Sequence, residues 1–315
     1  MSTILDIIVP VFGMVAIGWL IGRSKLLSPE GLRGVVNVTF YALFPALLFR
    51  SMAKVRIETL EPDILLVFFG GVLLLYGAML LIGRAMGMGL SDRTVLALSA
   101  TFSNGVGIGI PFVTFAFGER GLLPLLMIIS VNSLVLLTLS SLLLEMKGRG
   151  RMLTRLGSSA LRMLKHPVLP PIFAGLLWSE LTAHVPGLAL PAVIDHLLQV
   201  LAAAAPPCGL IMAGASLAHV GLKGHWQEAA LASFVKLTVM PALVYLVGRY
   251  VFPLDPLWLT VTTLNAAFPA GTNVYLLAQM YGVGVGRATN AIVISTVGSI
   301  FTLSVVLLLL DVQAH

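Results

Sequence analysis

The sequence predicts an all-α integral membrane protein of ten transmembrane helices, arranged as a 5+5 inverted repeat. Three observations predict this class: a composition poor in charge, ten apolar runs of membrane-spanning length, and matching interruptions in the fourth and ninth runs. The 315 residues are 58% hydrophobic and 10% charged, with a mean hydropathy of +1.01. Soluble domains carry about 25% charged residues. Because this deficit extends over the whole chain, we predict a multi-pass membrane protein.

The apolar runs and one polar segment define the predicted organisation. The runs of spanning length lie at about 4–22, 33–53, 63–83, 93–117, 121–145, 166–181, 188–218, 228–250, 256–280 and 288–310. The first run follows no basic segment, so we interpret it as a retained span and not as a signal peptide. A basic connector, residues 147–165, separates a first repeat, 1–146, from a second, 166–315. Since five spans is an odd number, two copies of one fold insert with opposite orientations.

Basic residues predict the orientation of the chain. Most Lys and Arg residues in the loops fall on the side of the connector, which itself carries six of them. The positive-inside rule therefore places the connector in the cytoplasm and both termini outside the plasma (inner) membrane. This placement accounts for the net charge of +6 without a nucleic-acid partner. The single cysteine, Cys208, excludes a disulfide framework and a cysteine-based metal site, and we predict no cofactor and no metal.

Two stretches are poorly suited to a continuous helix. Residues 102–111 read FSNGVGIGIP, and residues 265–273 read NAAFPAGTN. Glycine weakens a helix, and proline removes a backbone donor. In hydrocarbon, the freed peptide groups must be satisfied by protein, water or a ligand. Paired breaks in corresponding places are typical of transporters built from inverted repeats, whose substrate sites lie near the membrane centre.

A broken helix can bind an anion without a charged side chain. The second half of such a helix presents free N–H groups and the positive end of its dipole. We predict that the side chains of Asn104, Asn132, Asn265, Thr272 and Asn273 bind substrate. Gly105, Gly107, Gly109 and Gly271 are expected to let a ligand approach the backbone. Pro111 and Pro269 are predicted to produce the breaks, and Pro45 and Pro207 to break or kink the second and seventh spans.

Each of these assignments has a structural alternative. The glycines also fit close helix packing, and Asn132 also fits a hydrogen bond between helices. Lys236, the one basic residue deep in a span, is either a counter-charge for an anion or a lysine that snorkels to an interface. No Asp or Glu lies clearly in the central third of a span. A carboxylate proton relay or a carboxylate-rich sodium site is therefore unsupported, although backbone carbonyls at the breaks could bind sodium.

Four motifs together resemble the auxin efflux carrier family, whose bacterial members include malonate and malate transporters. They are Phe44–Phe49 (FPALLF), Asn104–Pro111 (NGVGIGIP), Gly214–Leu217 (GASL) and Pro269–Asn273 (PAGTN). The resemblance implies a fold similar to bile-acid/sodium symporters, in which spans four and nine are broken and cross. It further implies a scaffold of spans 1, 2, 6 and 7, often dimeric, and a transport unit of spans 3–5 and 8–10. The short connector argues against the phosphoregulation of many plant members.

The predicted function is secondary transport of small organic anions by elevator-type alternating access around the crossover. The expected substrates are mono- or dicarboxylates such as malonate, malate or auxin-like acids. A homodimer is expected, with proton or sodium coupling left open. A sodium-coupled symporter of larger organic anions is the nearest alternative. An intramembrane enzyme is remote, because Ser216 and His219 share one helix and are poorly placed as a nucleophile–base pair.

Overall fold

The structure is a computed structural model of the whole chain, in which residues 2–24, 26, 28–55, 61–146, 168–185, 187–218 and 224–310 are described. Within these ranges the chain is helical apart from short connections, and it has no β-strand beyond one isolated bridge. The predicted connector, 147–165, and His219 lie outside the described residues. The predicted all-helical class is therefore confirmed for the described part of the chain.

Fourteen α-helices make up the described fold. They are α1 (Ser2–Arg23), α2 (Pro29–Val38), α3 (Phe44–Met52), α4 (Asp63–Ala85), α5 (Leu90–Thr101), α6 (Ile110–Phe117), α7 (Leu122–Glu145), α8 (Leu169–His184), α9 (Ala192–Ala218), α10 (Trp226–Phe234), α11 (Met240–Tyr250), α12 (Pro256–Ala267), α13 (Thr272–Tyr281) and α14 (Val285–Leu309). π-helical turns at Thr39–Leu43 and Val235–Val239 join α2 to α3 and α10 to α11. A third π-turn, Gly105–Gly109, leads into α6, and a 3₁₀ turn, Gly118–Gly121, joins α6 to α7.

Seven helical segments in the described ranges are long and apolar enough to cross a membrane. They are Leu5–Arg23, Glu30–Met52, Asp63–Ala85, Gly105–Glu145, Ala192–Ala218, Trp226–Tyr250 and Val285–Leu309. The count is below ten for physical reasons. Gly105–Glu145 has 41 residues, about twice the length that one span needs. Helix α8 has only 16 residues, and α12 and α13 are separate short helices. The protein is a multi-pass membrane protein, and ten spans stay a prediction.

The positions of the prolines correct part of the sequence-based prediction. Pro45 and Pro111 each lie in the first turn of an α-helix that directly follows a π-turn, and Pro241 does the same. Proline lacks an N–H group and clashes with the carbonyl four residues earlier, and the wider π-turn relieves both problems. Pro207 lies inside the continuous α9. None of Pro45, Pro111 and Pro207 therefore interrupts the helical path, whereas Pro269 lies in a non-helical segment.

The helices form two apolar cores. One core contains residues of α1, α3, α8 and α9 together with residues of α6, the N-terminal part of α7, α12 and the C-terminal part of α14. The other is built from α4, α5, the rest of α7 and α10–α14, and it includes no described residue of α1–α3, α8 or α9. The helices of the first group approach very closely: a Cβ on Gly214 of α9 would lie 1.9 Å from the Val15 carbonyl oxygen of α1. Similarly, a Cβ on Gly175 of α8 would lie 2.6 Å from the Phe49 carbonyl oxygen of α3.

Candidate functional site

Two interrupted segments lie side by side in the protein interior. Helix α5 ends at Thr101 and α12 ends at Ala267, and after each the backbone turns extended. The segments 102–104 and 269–271 then pair in antiparallel fashion. The Asn104 N–H donates to the Pro269 carbonyl at 2.8 Å, and the Gly271 N–H donates to the Phe102 carbonyl at 3.0 Å. Each break therefore satisfies backbone groups that the other exposes, as the apolar surroundings require.

Each segment leads into a new helical start. Asn104 caps the first start, because its Oδ1 accepts a hydrogen bond from the Gly107 N–H at 3.1 Å. This bond leaves the Asn104 amide nitrogen as the donor that can face a ligand. The second start, α13, begins after Gly271 with no side-chain cap among the described residues. The Val274 N–H donates to the Gly271 carbonyl at 3.1 Å, and the N–H groups and side chains of Thr272 and Asn273 are available to a ligand.

Both starts open onto one cavity of about 570 Å³. Its described lining contains no Asp, Glu, Lys, Arg or His. On the side of the breaks, the lining comes from 102–108, 271–273, the middle of α7, the N-terminal half of α14, and Tyr275 and Leu276 of α13. On the opposite side, it is mostly apolar and comes from the α2–α3 region, the start of α8 and α9: Val36, Phe40, Phe44, Val168, Leu169, Gly209, Met212, Ala213, Ser216 and Leu217. The described lining therefore offers amides, hydroxyl groups and helix ends to a ligand, and it contributes no formal charge.

The structure brings seven of the nine predicted binding residues to this cavity: Asn104, Gly105, Gly107, Asn132, Gly271, Thr272 and Asn273. It does not bring Gly109 and Asn265 to the described lining. Gly109 lies against the ring of Phe268, where an added Cβ would be 2.9 Å from Cε2. The buried Asn265 lies behind Gly105, and its Oδ1 is 3.2 Å from the position of a Cβ on that glycine.

Close packing accounts for several of the glycines without a ligand. A Cβ on Gly105 would lie 2.9 Å from Ile129 Cγ1, and one on Gly271 would lie 2.8 Å from the ring of Phe102. Real Cβ atoms essentially never approach other heavy atoms this closely. Gly105 therefore permits the first break to pack against α7, and Gly271 permits the two breaks to pack together. Both glycines line the cavity as well.

Three buried oxygens near the breaks lack a hydrogen-bond partner among the described residues. They are Ser103 Oγ, Asn132 Oδ1 and Asn265 Oδ1. Ser103 and Asn132 also line the cavity. Burying a polar group without a partner costs about 1–3 kcal/mol in proteins. The unpaired oxygens therefore indicate positions where water, a hydroxyl group or a cation can bind.

Lys236 lies in the π-turn between α10 and α11 and is fully buried. Its ammonium group donates to the carbonyl of Ala266, close to the end of α12. The snorkelling interpretation is therefore wrong. A cation at the C-terminal end of a helix complements the negative end of its dipole. No described carboxylate pairs with Lys236, and Lys236 does not belong to the described cavity lining.

Several lining residues were missed in the reading of the sequence. Ser130 and Ser133 lie three residues apart on α7, on the side that also presents Asn132 and Leu137. Thr289 and Thr296 lie seven residues apart on α14. These spacings put the hydroxyl groups on one helical face, and this periodicity within apolar runs could have identified them. The hydroxyl group of Ser216 donates to the Met212 carbonyl of its own helix at 2.8 Å.

Comparison with known proteins identifies the family. A family model described as "Membrane transport protein" matches residues 3–307, almost the whole chain. The chain belongs to this membrane transport protein family. The resemblance to auxin efflux carriers is thereby confirmed, and the protein is a membrane transporter. A relative from Rhizobium meliloti (strain 1021), named "Putative malonate transporter", is 28% identical over 315 residues, covering 98% of this chain and 97% of the relative.

Proposed function

We propose that this member of the membrane transport protein family is a secondary transporter of small organic anions, which bind at the paired breaks. The observation that carries the proposal is the N-terminus of α13, which has no side-chain cap among the described residues and opens beside Asn104 onto a cavity whose described lining carries no charge. A helix N-terminus stabilises an anion by about 0.3–1 kcal/mol when exposed and by up to about 2 kcal/mol when partly buried. Two helix starts and the amides of Asn104 and Asn273 hold a carboxylate weakly enough for release.

The proposed fold has ten spans in two inverted five-span repeats, whose fourth and ninth spans cross at the breaks. The antiparallel pairing of 102–104 with 269–271 supports this arrangement, because a local two-fold axis between the paired segments relates one break to the other. The close contacts of α1 with α9 and of α3 with α8 support it as well. In this arrangement α1 is span one, α3 belongs to span two, α8 is span six and α9 is span seven. Exchanging the two repeats replaces span one by span six and span seven by span two. It therefore converts the contact of α1 with α9 into the contact of α8 with α3.

The proposed mechanism is elevator-type movement of a transport unit against a scaffold. The scaffold comprises α1–α3, α8 and α9, and the transport unit comprises α4–α7 and α10–α14. A separate apolar core made only of transport-unit helices supports movement as one body. We further propose a homodimer in the plasma (inner) membrane, with both termini outside and the connector in the cytoplasm. No enzymatic step is proposed.

The cavity also favours one class of carboxylate. Its amides and helix starts are concentrated at the breaks, whereas Phe40, Phe44 and Met212 form an apolar wall on the opposite side. A second carboxylate against that wall loses hydration without gaining a partner. We therefore propose that a monocarboxylate with an apolar body binds better than a compact dicarboxylate such as malonate, the substrate in the name of the Rhizobium meliloti relative.

The unpaired oxygens of Ser103 and Asn132, which line the cavity, favour a second candidate function. Sodium is a hard cation that prefers oxygen ligands, as calcium and magnesium do. A sodium ion at these oxygens would make the protein a sodium-coupled symporter of organic anions. Lys236 argues against sodium at the end of α12, because its ammonium group already binds the Ala266 carbonyl.

Uptake by purified protein in proteoliposomes tests the proposal. The substrate panel pairs radiolabelled mono- and dicarboxylates of matched carbon number with their neutral amides, each assayed with and without sodium and pH gradients. We expect carboxylate uptake, no uptake of the amides and faster uptake of the apolar monocarboxylates. Strict dependence on sodium would favour the second candidate. Equal uptake of carboxylates and amides would contradict anion transport.

A further inference from the structure

A cluster of four charged side chains lies where α3, α9 and the α6–α7 turn meet. Arg50 binds Asp195 through two hydrogen bonds, Nε–Oδ1 at 2.9 Å and Nη2–Oδ2 at 3.1 Å. Glu119, in the 3₁₀ turn, accepts a hydrogen bond from the Lys54 ammonium at 2.6 Å and lies 3.9 Å from Arg50 Nη1. Arg50 is only 15% exposed, whereas the other three side chains are about half exposed. The two hydrogen bonds to Asp195 therefore hold the Arg50 side chain in position beside Glu119.

The charged cluster lies at the end of the molecule opposite to the cavity. Asp195 belongs to the first turn of α9, and the cavity residues of the same helix are Gly209–Leu217. At about 1.5 Å per residue, Asp195 and Ser216 are separated by roughly 30 Å, the thickness of a bilayer core. The cavity is lined instead near the starts of α8 and α14, by Leu169 and Thr289. In the predicted topology the cavity therefore faces the cytoplasm, and the cluster faces outward.

The cluster also connects the two proposed bodies. Arg50 and Asp195 belong to scaffold helices and Lys54 follows α3, whereas Glu119 belongs to the transport unit. A second charged cluster serves as a comparison. Arg287 lies 3.0 Å from Asp92 and 3.6 Å from Glu228, and all three residues belong to transport-unit helices. The second cluster therefore stays intact when the transport unit moves as one body, whereas the ion pairs of Glu119 have to break.

We propose that the ion pairs of Glu119 with Lys54 and Arg50 form a latch that keeps the outward side closed while the cavity is open to the cytoplasm. This proposal rests on the elevator mechanism of the proposed function. Exposed ion pairs are weak and screened by salt, so the latch biases the equilibrium without preventing movement. Loss of the Glu119 charge is expected to increase the outward-open population by about two- to five-fold at low ionic strength.

Thiol labelling tests the latch without transport. A reporter, Ser133→Cys, is placed in the cavity lining of a Cys208→Ser chain and exposed to a membrane-impermeant maleimide from the outward side. Glu119→Gln should increase the labelling rate by about two- to five-fold, with a smaller effect at high salt. The reversed pair Lys54→Glu/Glu119→Lys should return the rate only part of the way to that of the parent, because it restores the pair between positions 54 and 119 but places a cation near Arg50. Arg120→Gln, an exposed neighbour without an ion pair among the described residues, should leave it unchanged. Equal rates in the Glu119 and Arg120 variants would overturn the latch.

Cross-linking provides an independent measurement. In the Cys208→Ser chain, Lys54→Cys/Glu119→Cys is joined with a short bifunctional thiol reagent. This bridge between the two bodies should abolish uptake. A bridge within the scaffold, Arg50→Cys/Asp195→Cys, should preserve uptake. Uptake that survives the first bridge would overturn the latch. Lack of uptake by the unmodified chain would instead contradict the proposed function. In that case the labelling rates of the Ser133→Cys reporter would still test the latch.

Discussion

Replacement of Asn104 by Asp separates the two roles that the structure gives this side chain. Aspartate keeps an oxygen that can accept the Gly107 N–H hydrogen bond, and it caps a helix as well as asparagine does. It also adds a negative charge at the cavity wall. At an effective dielectric constant of about 20, two like charges about 5 Å apart repel by about 3 kcal/mol. We therefore expect the half-saturating anion concentration to rise by roughly 100-fold.

Initial uptake rates over a range of substrate concentrations measure this effect, and thermal unfolding in detergent measures stability. Asn104→Ser keeps a capping hydroxyl without the charge, so its half-saturating concentration should change far less than that of the Asp variant. Asn104→Ala should also lose about 1 kcal/mol of stability, because the Gly107 N–H loses its acceptor. An Asp variant with wild-type half-saturation would refute the assignment of Asn104 to an anion site.

Three further predictions follow from the contacts. Asn273→Ala should weaken the apparent substrate affinity about ten-fold or more, because the ligand loses a hydrogen-bond donor, and it should change the unfolding temperature little. Uptake and thermal unfolding measure the two effects, and a wild-type affinity would exclude this amide from the site. Gly214→Val should reduce the yield of folded protein in size-exclusion chromatography, because its Cβ would lie 1.9 Å from a carbonyl of α1, whereas Gly13→Ala, with open space around it, should not. Lys236→Met should lower thermal stability by about 1–3 kcal/mol through the unpaired Ala266 carbonyl; unchanged stability would contradict that hydrogen bond.

The helical elements were largely predictable, because they depend on local composition. The fourth apolar run, predicted at 93–117, contains the end of α5, the break and α6, and the ninth, predicted at 256–280, contains α12, the break and α13. Alternating glycines and Pro269 mark these interruptions, since both residue types weaken a helix wherever it lies. The number of spans was less certain, because a 16-residue helix such as α8 falls below the usual spanning length.

Proline positions alone did not predict where the helical path stops. The sequence pattern does not distinguish a proline that ends a helix from one that a preceding π-turn accommodates, as at Pro45 and Pro111. The sequence also did not predict which face of each half-helix meets the cavity. Gly109 faces Phe268, and Asn265 lies behind Gly105, because the pairing of the two breaks determines which faces meet the cavity.

Contacts between distant residues could not be predicted from one sequence. Arg50 and Asp195 are 145 residues apart, and Lys236 and Ala266 are 30 apart. Arg50 and Asp195 look like ordinary helix-end charges when their own segments are considered alone, and the position of Lys236 deep in a span does not identify its partner. Only the packing of whole helices brings them together. The ion pairs of Glu119 and the buried position of Lys236 therefore required the structure.

In the proposed site, helix starts and amides bind a negative ligand, and the described cavity lining contributes no formal positive charge. The most direct measurement is equilibrium binding of a radiolabelled monocarboxylate to the purified protein, with competition by its neutral primary amide of nearly identical shape. We predict that the amide competes at least about ten-fold more weakly, because it lacks the charge that the helix dipoles stabilise. Equal competition by the amide and the carboxylate would contradict the claim.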